Sequence, residues 1–325
     1  MADSIRQRLL QMLEEHTDTY VSGQMISESL NVSRTAIWKH VAELRKNGYE
    51  VEAIQKKGYR ILTRPNSLSK EEISLKLNTD LIGREIHAYS SVETTQFIAH
   101  NLAHSGIQHG AIVVADEQTA GKGRLGRSWH SPKGSGIWTS IILRPKLPPQ
   151  RAPQFTLIAA VSVVQAIRKQ TGLEAEIKWP NDILINGKKA VGILTELQAE
   201  ADQIKSVIIG MGINVNAGQE DFPSDLTTAT SLKIESGEDV NRAALLAAIL
   251  NELEGLYAEY MENGFRMIKL LWESYAISLG RKIKARTLNG VIEGLAKGIT
   301  EEGVLLLESS DGEVHHIYSA DIEIC

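Results

Sequence analysis

Lys122, Arg124 and Arg127 lie within six residues of one another, on a backbone interrupted by Gly121, Gly123 and Gly126. Cations on so adaptable a backbone can wrap an anion, bringing ammonium, guanidinium and several peptide N–H donors to it at once. Ordering such a loop costs conformational entropy, so an anion that orders it couples binding to shape elsewhere. Trp129 and His130 follow directly. A second polar group sits at Lys178-Trp179-Pro180-Asn181-Asp182, with Lys189 on the return arm of a hairpin that Asn186-Gly187 is suited to turn. A lysine beside a phosphate stabilises developing charge, and a carboxylate such as Asp182 can help hold a metal. The chemistry on offer is the handling of a phosphorylated or carboxylated ligand. The competing reading is a solvated basic loop beside a surface lysine.

The three glycines also match the dinucleotide spacing GxGxxG. That motif must open a helix whose N-terminus holds the pyrophosphate, with an acid about 20 residues further on. Here the third glycine is followed by RSWHSPKGSG, with a proline and two further glycines, and residues 121–154 contain no Asp or Glu. The loop is therefore not a Rossmann turn, and no GxxxxGK[ST] P-loop exists.

The elements around these motifs alternate irregularly. Residues 111–118 form an apolar strand running into the basic loop, and 136–145 form another. Residues 145–153 carry four of the eight prolines and must turn. An apolar helix is expected over 154–170, strands over 175–198 and 206–216, and helices over 241–261 and 265–275. Upstream, Ser69 and Glu72 form a capping-box pair for a helix over 71–78, followed by a strand over 85–90 and a helix over 95–103. Several strands follow one another without a helix between them, which predicts an α+β fold with a mixed sheet. Residues 217–231, rich in Gly, Pro and Thr, read as a loop over the ligand. Residues 277–325 read as short strands with turns at Asn289-Gly290, Glu302-Gly303 and Asp311-Gly312, a small SH3-like β-barrel.

The first 65 residues differ in character. Helices are expected over 4–15, with Ile5, Leu9, Met12 and Leu13 on the buried stripe, and over 20–30, with Met25, Ile26 and Leu30. After a turn at residues 31–33, Ser33 can cap a third helix with the stripe Ile37, Val41 and Leu44, and Gly48 suits its C-terminal end. Two short strands, EVEAI and YRIL, then flank a tip of Lys56, Lys57 and Gly58. This is a winged helix-turn-helix. Residues 33–64 carry eight Lys/Arg against three Asp/Glu in a chain of net charge −5. A basic island in an acidic chain implies a polyanionic partner. Ser33, Arg34, Thr35, Trp38, Lys39 and His40 are expected to face DNA, with Lys56 and Lys57 meeting phosphates. A protein-binding winged helix is the alternative. The short reach of one such domain favours a homodimer on a two-fold operator.

The expected domains are thus 1–65, 66–276 and 277–325. The single cysteine, Cys325, rules out an intramolecular disulfide, the N-terminal residues do not read as a signal peptide, and no apolar run is long enough to span a membrane. These features together predict a cytoplasmic protein.

With GKGRLGRSWHSPKG followed by KWPNDILINGKKAVGILTEL, the chain resembles the biotin–protein ligases. With the winged helix it resembles their bifunctional form, ligase and biotin operon repressor. The resemblance covers all three segments and implies a class II synthetase-like catalytic domain. It implies that biotin and MgATP give biotinoyl-5′-AMP and pyrophosphate, and that the acyl group passes to a lysine of a biotin carboxyl carrier domain of acetyl-CoA carboxylase or a related carboxylase. By position in these motifs, Lys189 would bridge the biotin carboxylate and the α-phosphate, and Arg124 would join it in catalysis. Thr94, Thr95 and Gln118 would meet the ureido end of biotin. Gly121, Lys122, Gly192 and Ile193 complete the biotin set, Lys122 standing where an arginine is common. Arg127, Trp129, Asn181, Asp182 and Asn214 fall on the nucleotide side, with Asp182 the one expected ligand to Mg2+. Biotinoyl-5′-AMP would favour the homodimer that binds operator DNA. Two rivals remain, a ligand-sensing repressor without catalysis and a lipoate–protein ligase.

Overall fold

The computed structural model describes residues 5–16, 19–200 and 202–325, which fall into two compact units, Met1–Ser67 and Leu68–Cys325. Position 4, the expected start of the first helix, lies outside the described residues.

In the first unit, α1 (Ile5–Glu14), α2 (Gly23–Leu30) and α3 (Arg34–Lys46) precede the antiparallel pair β1 (Glu50–Ile54) and β2 (Gly58–Thr63). The Ser22 and Ser33 hydroxyls accept from the N–H of Met25 and Ala36, capping α2 and α3. Asn31 and Gly48 take positive φ of 54° and 91° at the turns that end these helices. Ile37, Val41 and Leu44 are buried, as their 3.6-residue period requires. Two stripes differ from expectation. In α1 the buried residues are Leu9, Leu10 and Leu13, while Ile5, at the first turn, is exposed. In α2 Met25 is exposed and the buried pair is Ile26 and Leu30. The face is set by where the partner helix lies, which a short helix's own pattern leaves open by one position.

The second unit is built on a seven-stranded sheet in the order β3-β4-β5-β9-β8-β7-β6. Its strands are β3 (Ile86–Tyr89), β4 (Ile112–Ala115), β5 (Gly136–Leu143), β6 (Ala175–Lys178), β7 (Asp182–Ile185), β8 (Lys188–Glu200) and β9 (Gln203–Asn214). Only β3 and β4 pair in parallel. Every residue of β5 is buried, as a central strand covered on both faces demands. On one face α5 (Thr95–His104) packs Ala99 and Ala103 on Val113, Ile142 and Ile208. The alternate residues of the same strands, such as Ile112, Ile141 and Ile209, join the core shared with α6 (Ala152–Thr171), α8 (Arg242–Asn263) and α9 (Arg266–Tyr275). Two further helices are short, α4 (Lys70–Lys76) and α7 (Leu232–Ser236).

The C-terminal strands β10 (Lys282–Thr287), β11 (Gly290–Ile299), β12 (Leu305–Glu308), β13 (Val314–Ile317) and β14 (Asp321–Ile324) form an antiparallel sheet in the order β13-β12-β11-β10-β14. Buried contacts join it to the central core. The Trp179 indole N–H donates to the Gly303 carbonyl at 3.4 Å, and the Gln154 amide donates to the Glu301 carbonyl at 2.5 Å. Among the described residues no helix is long and apolar enough to cross a membrane.

Candidate active site and nucleic-acid interface

The face that α5 covers is left open beyond that helix's N-terminus. On β9 this face carries Ile208, then Gly210, Gly212 and Asn214, and Gly192 on β8 stands opposite Gly212. The glycines remove the side chains that would fill the space. An ideal Cβ on Gly212 would lie 2.3 Å from Nε1 of Trp129, and one on Gly192 would lie 2.7 Å from its Cζ3. The Trp129 ring therefore lies directly on the sheet and pins the glycine-basic loop to it. The loop's ends are tied as well. The buried Arg242 of α8 donates to the Asp116 carboxylate at 2.7 Å and to the Gly136 carbonyl at 3.1 Å, gripping the segments that enter and leave the loop.

Between loop and sheet lies a cavity of about 480 Å³. One end is polar and uncharged. The Thr95 N–H donates to Gln118 Oε1 at 2.9 Å, the Gln118 amide donates to Ser131 Oγ at 3.0 Å, and Thr95 Oγ1 lies 2.8 Å from Ser140 Oγ. Ser140 in turn donates to Gln96 Oε1 at 2.8 Å, and Thr94 caps α5. The middle is lined by Gly192, Ile193, Leu194, Met211 and the Trp129 ring. The other end is cationic. Lys189 Nζ sits 2.7 Å from Asp182 Oδ1 and 5.2 Å from the centroid of the Trp129 ring. Arg124 donates to Asn181 Oδ1 at 2.8 Å and to Ser319 Oγ at 2.9 Å, and Arg127 pairs with Asp321. Burial lowers the Arg124 pKa, an effect that Asp321 and Asp182 oppose. An arginine remains charged in any case. Such a cavity suits a molecule with a neutral hydrogen-bonding head, an apolar body and an anionic end.

Thr94, Thr95, Gln118, Lys122, Arg124, Arg127, Trp129, Asn181, Asp182, Lys189, Gly192, Ile193 and Asn214 all line this one cavity. Asn181 is a strut, its amide donating to the Ile193 carbonyl at 2.9 Å while its oxygen accepts from Arg124. Asn214 donates to the Thr230 carbonyl at 3.0 Å, anchoring the segment 217–231, whose Phe222, Leu226, Thr228 and Ala229 also line the cavity. The His130 ring donates from Nε2 to the Asp221 carbonyl at 2.9 Å, tying the two loops together. Gly121 is not among the residues that line the cavity and packs against the backbone of the loop. Its carbonyl accepts from the Trp129 N–H, and a Cβ there would fall 2.4 Å from the Trp129 carbonyl oxygen. It is needed for close backbone approach.

Lys178, part of the polar run singled out in the sequence, also lines the cavity. So do Gln96, Thr139, Ser140 and Asp321, with Ser319 beside Arg124, none of which is named from the sequence alone. Thr139 and Ser140 carry a local signal, two hydroxyls inside an apolar strand, and Gln96 is a buried amide in an otherwise apolar helix face. Lys178 belongs to the polar run ending at Asp182. Ser319 and Asp321 carry no local signal.

On α3, Arg34, Thr35, Trp38 and Lys39 are exposed, with Trp38 at 62%. Lys56 and Lys57 are exposed at the β1–β2 tip, Lys57 lying 5.8 Å from the centroid of the Tyr20 ring. The other two expected DNA-facing residues also make contacts within the domain. The Ser33 hydroxyl is committed to capping α3, and His40 is half-buried on the side of Glu43.

A helix-turn-helix joined to a cationic, glycine-floored ligand cavity is the plan of a ligand-handling enzyme with a nucleic-acid-binding domain. Residues 88–214 match the Biotin/lipoate A/B protein ligase family, residues 5–60 an HTH domain, and residues 278–324 the Biotin protein ligase C terminal domain. The chain is 53% identical to the bifunctional ligase/repressor BirA of Bacillus spizizenii over the full length of both, and 28% identical to that of Escherichia coli over 93% of this chain and 92% of the other. Among solved structures, the biotin protein ligase from Aquifex aeolicus in complex with biotin and ATP matches with a TM-score of 0.65 and 30% identity, covering 74% of this chain and 100% of that one. The chain belongs to the biotin protein ligase family, in the form that carries an N-terminal helix-turn-helix domain.

Gly212→Ala tests the packing on which the cavity depends. The added methyl must push Trp129 off the sheet, lowering stability by about 1–3 kcal/mol in chemical denaturation and shifting tryptophan emission. Unchanged stability together with unchanged emission would mean that the ring does not rest there.

Proposed function

We propose that the chain is an ATP-dependent biotin–protein ligase and a repressor of biotin genes, with both roles running through one intermediate, biotinoyl-5′-AMP. The observation that carries the reading is the gradient along the cavity, from the hydrogen-bonding group of Thr95, Gln118 and Ser140 to the cations Arg124, Arg127 and Lys189. Biotin has the matching form, a neutral ureido head, an apolar bicycle and chain, and a carboxylate. Full-length identity of 53% to a bifunctional ligase/repressor supports the same conclusion.

In this reading Thr94, Thr95 and Gln118 hold the ureido group, Gly192 and Ile193 lie along the bicycle, and the Trp129 ring, resting on the sheet, is the wall on which the bound intermediate stacks. Lys122 stands at the loop's entrance. Lys189 sits between the biotin carboxylate and the α-phosphate, where it screens two anions that must approach. The carboxylate oxygen attacks the α-phosphorus and pyrophosphate leaves. Arg124, oriented by Asn181, and Arg127 neutralise the phosphates, and Asn214 holds the 217–231 segment over the nucleotide. Among the described residues no three His, Cys, Asp or Glu side chains cluster as metal ligands. Asp182 is the carboxylate at the cationic end that would help hold Mg2+, which would supply charge neutralisation there. A lysine amine of a biotin carboxyl carrier domain, from acetyl-CoA carboxylase or a related carboxylase, then attacks the acyl carbon. AMP departs and the amine proton is lost as the amide forms.

The repressor role follows from loop ordering. The adenylate bridges the basic loop and the 217–231 segment, and their ordering favours a homodimer presenting two winged helices to operator DNA. Arg34, Thr35, Trp38 and Lys39 face the groove, and Lys56 and Lys57 meet phosphates. The protein works in the cytoplasm, where ATP and carboxylases reside.

Biotin-dependent exchange of labelled pyrophosphate into ATP tests the ligase. Wild-type protein is expected to exchange with biotin and not with lipoate, and Lys189→Ala and Arg124→Ala to lose roughly a hundredfold or more. Absence of exchange, with biotin still altering DNA binding, would leave a sensor without catalysis. For the repressor, biotinoyl-5′-AMP should raise both dimer content in sedimentation and operator affinity, and Trp38→Ala should weaken operator binding without changing exchange. An adenylate that moves neither dimerisation nor DNA affinity contradicts this coupling.

A further inference from the structure

Three of the cations lining the cavity are already satisfied by protein acceptors. Lys189 has Asp182, Arg124 has Asn181 and Ser319, and Arg127 has Asp321. Two of these acceptors, Ser319 in the turn after β13 and Asp321 at the start of β14, come from more than 190 residues along the chain. Asp321 is an anion inside a cavity whose other features call for an anionic ligand. A carboxylate and a phosphate cannot share Arg127 without repelling each other. A phosphate arriving at Arg127 therefore competes with Asp321 for it.

The geometry says which one gives way. The Arg127 and Asp321 side chains are 65% and 40% exposed, so their pair is cheap to break. A polyphosphate carries more charge and more acceptor oxygens than a carboxylate and competes well for a guanidinium. The Asp321 backbone is fixed by its strand pairing with Arg286, whereas Arg127 rides on the glycine-rich loop, so the loop is the part that moves. The neighbouring Ser319–Arg124 contact is neutral on one side and can persist.

We propose that Asp321 is a positioning residue that stands in for substrate phosphate at Arg127, holding the basic loop in place until a phosphate displaces it. The assignment rests on the reading of Arg127 as a phosphate ligand. Asp321 then keeps the loop near its working shape at the expense of phosphate affinity, and it eases the departure of pyrophosphate by taking Arg127 back. The C-terminal sheet thereby takes part in ligand exchange at the loop.

Binding of magnesium-free pyrophosphate to the full-length protein by equilibrium dialysis tests this. Asp321→Asn should bind pyrophosphate roughly threefold to tenfold more tightly than wild type, and Asp321→Glu, which keeps the charge, should stay near wild type. In an Arg127→Ala background the gain from Asp321→Asn should vanish. Binding by Asp321→Asn no tighter than wild type, with Arg127→Ala clearly weaker, overturns the stand-in role alone. An equal gain in the Arg127→Ala background also overturns it, since the carboxylate would then act only through its general field. If Arg127→Ala binds as wild type does, Arg127 is no phosphate ligand and the stand-in role falls with that reading.

Discussion

The site depends on one contact, the flat approach of the Trp129 ring to two facing glycines of the central sheet. Any side chain at Gly192 or Gly212 would lift the ring, and with it the loop that carries Arg124 and Arg127. The loop is held at a few fixed points and, with three glycines, is adaptable between them. Trp129 holds one, Arg242 grips the flanks through Asp116 and Gly136, and Ser319 and Asp321 hold the guanidinium groups. That arrangement reconciles two needs in conflict. In the proposed function the cations must be close enough to screen phosphate and carboxylate together, yet free enough to exchange partners as each ligand enters and leaves.

The energetics follow from the cavity's gradient. Hydrogen-bonding groups buried at the Thr95 end are mutually satisfied, so a ligand head must match their pattern or leave buried donors without partners. At the cationic end the groups are already paired, which lowers the cost of holding several like charges in a small volume before any ligand is present. In the proposed reading, selectivity lies at the first end and reactivity at the second. Buried contacts of Gln154 and Trp179 make the C-terminal sheet part of the same structural unit as the cavity.

Much of this was legible in the residues, for local reasons. The stripe Ile37, Val41 and Leu44 repeats at helical period, and Asn186-Gly187 takes the positive φ values that its hairpin needs. The loop cations and Lys189 stand out because charge at that density beside glycine has few structural uses. What escaped depends on distance along the chain. Gln96 and Ser140 make sense only when α5 crosses β5, and Asp321 meets Arg127 from 194 residues away. The close approach of Gly121 to the Trp129 carbonyl likewise depends on how the loop folds back on itself, which its sequence alone does not show. Ile5 and Met25 were misassigned because a helix of eight to ten residues has too few apolar positions to decide its buried face.

The most direct measurement is the intact mass of a biotin carboxyl carrier fragment after incubation with the purified protein, biotin and MgATP. A single biotin on one lysine is expected, absent when Lys189→Ala or Arg124→Ala replaces the wild-type chain. An unmodified carrier, with protein that still binds biotin and DNA, would contradict the catalytic role assigned to the cavity.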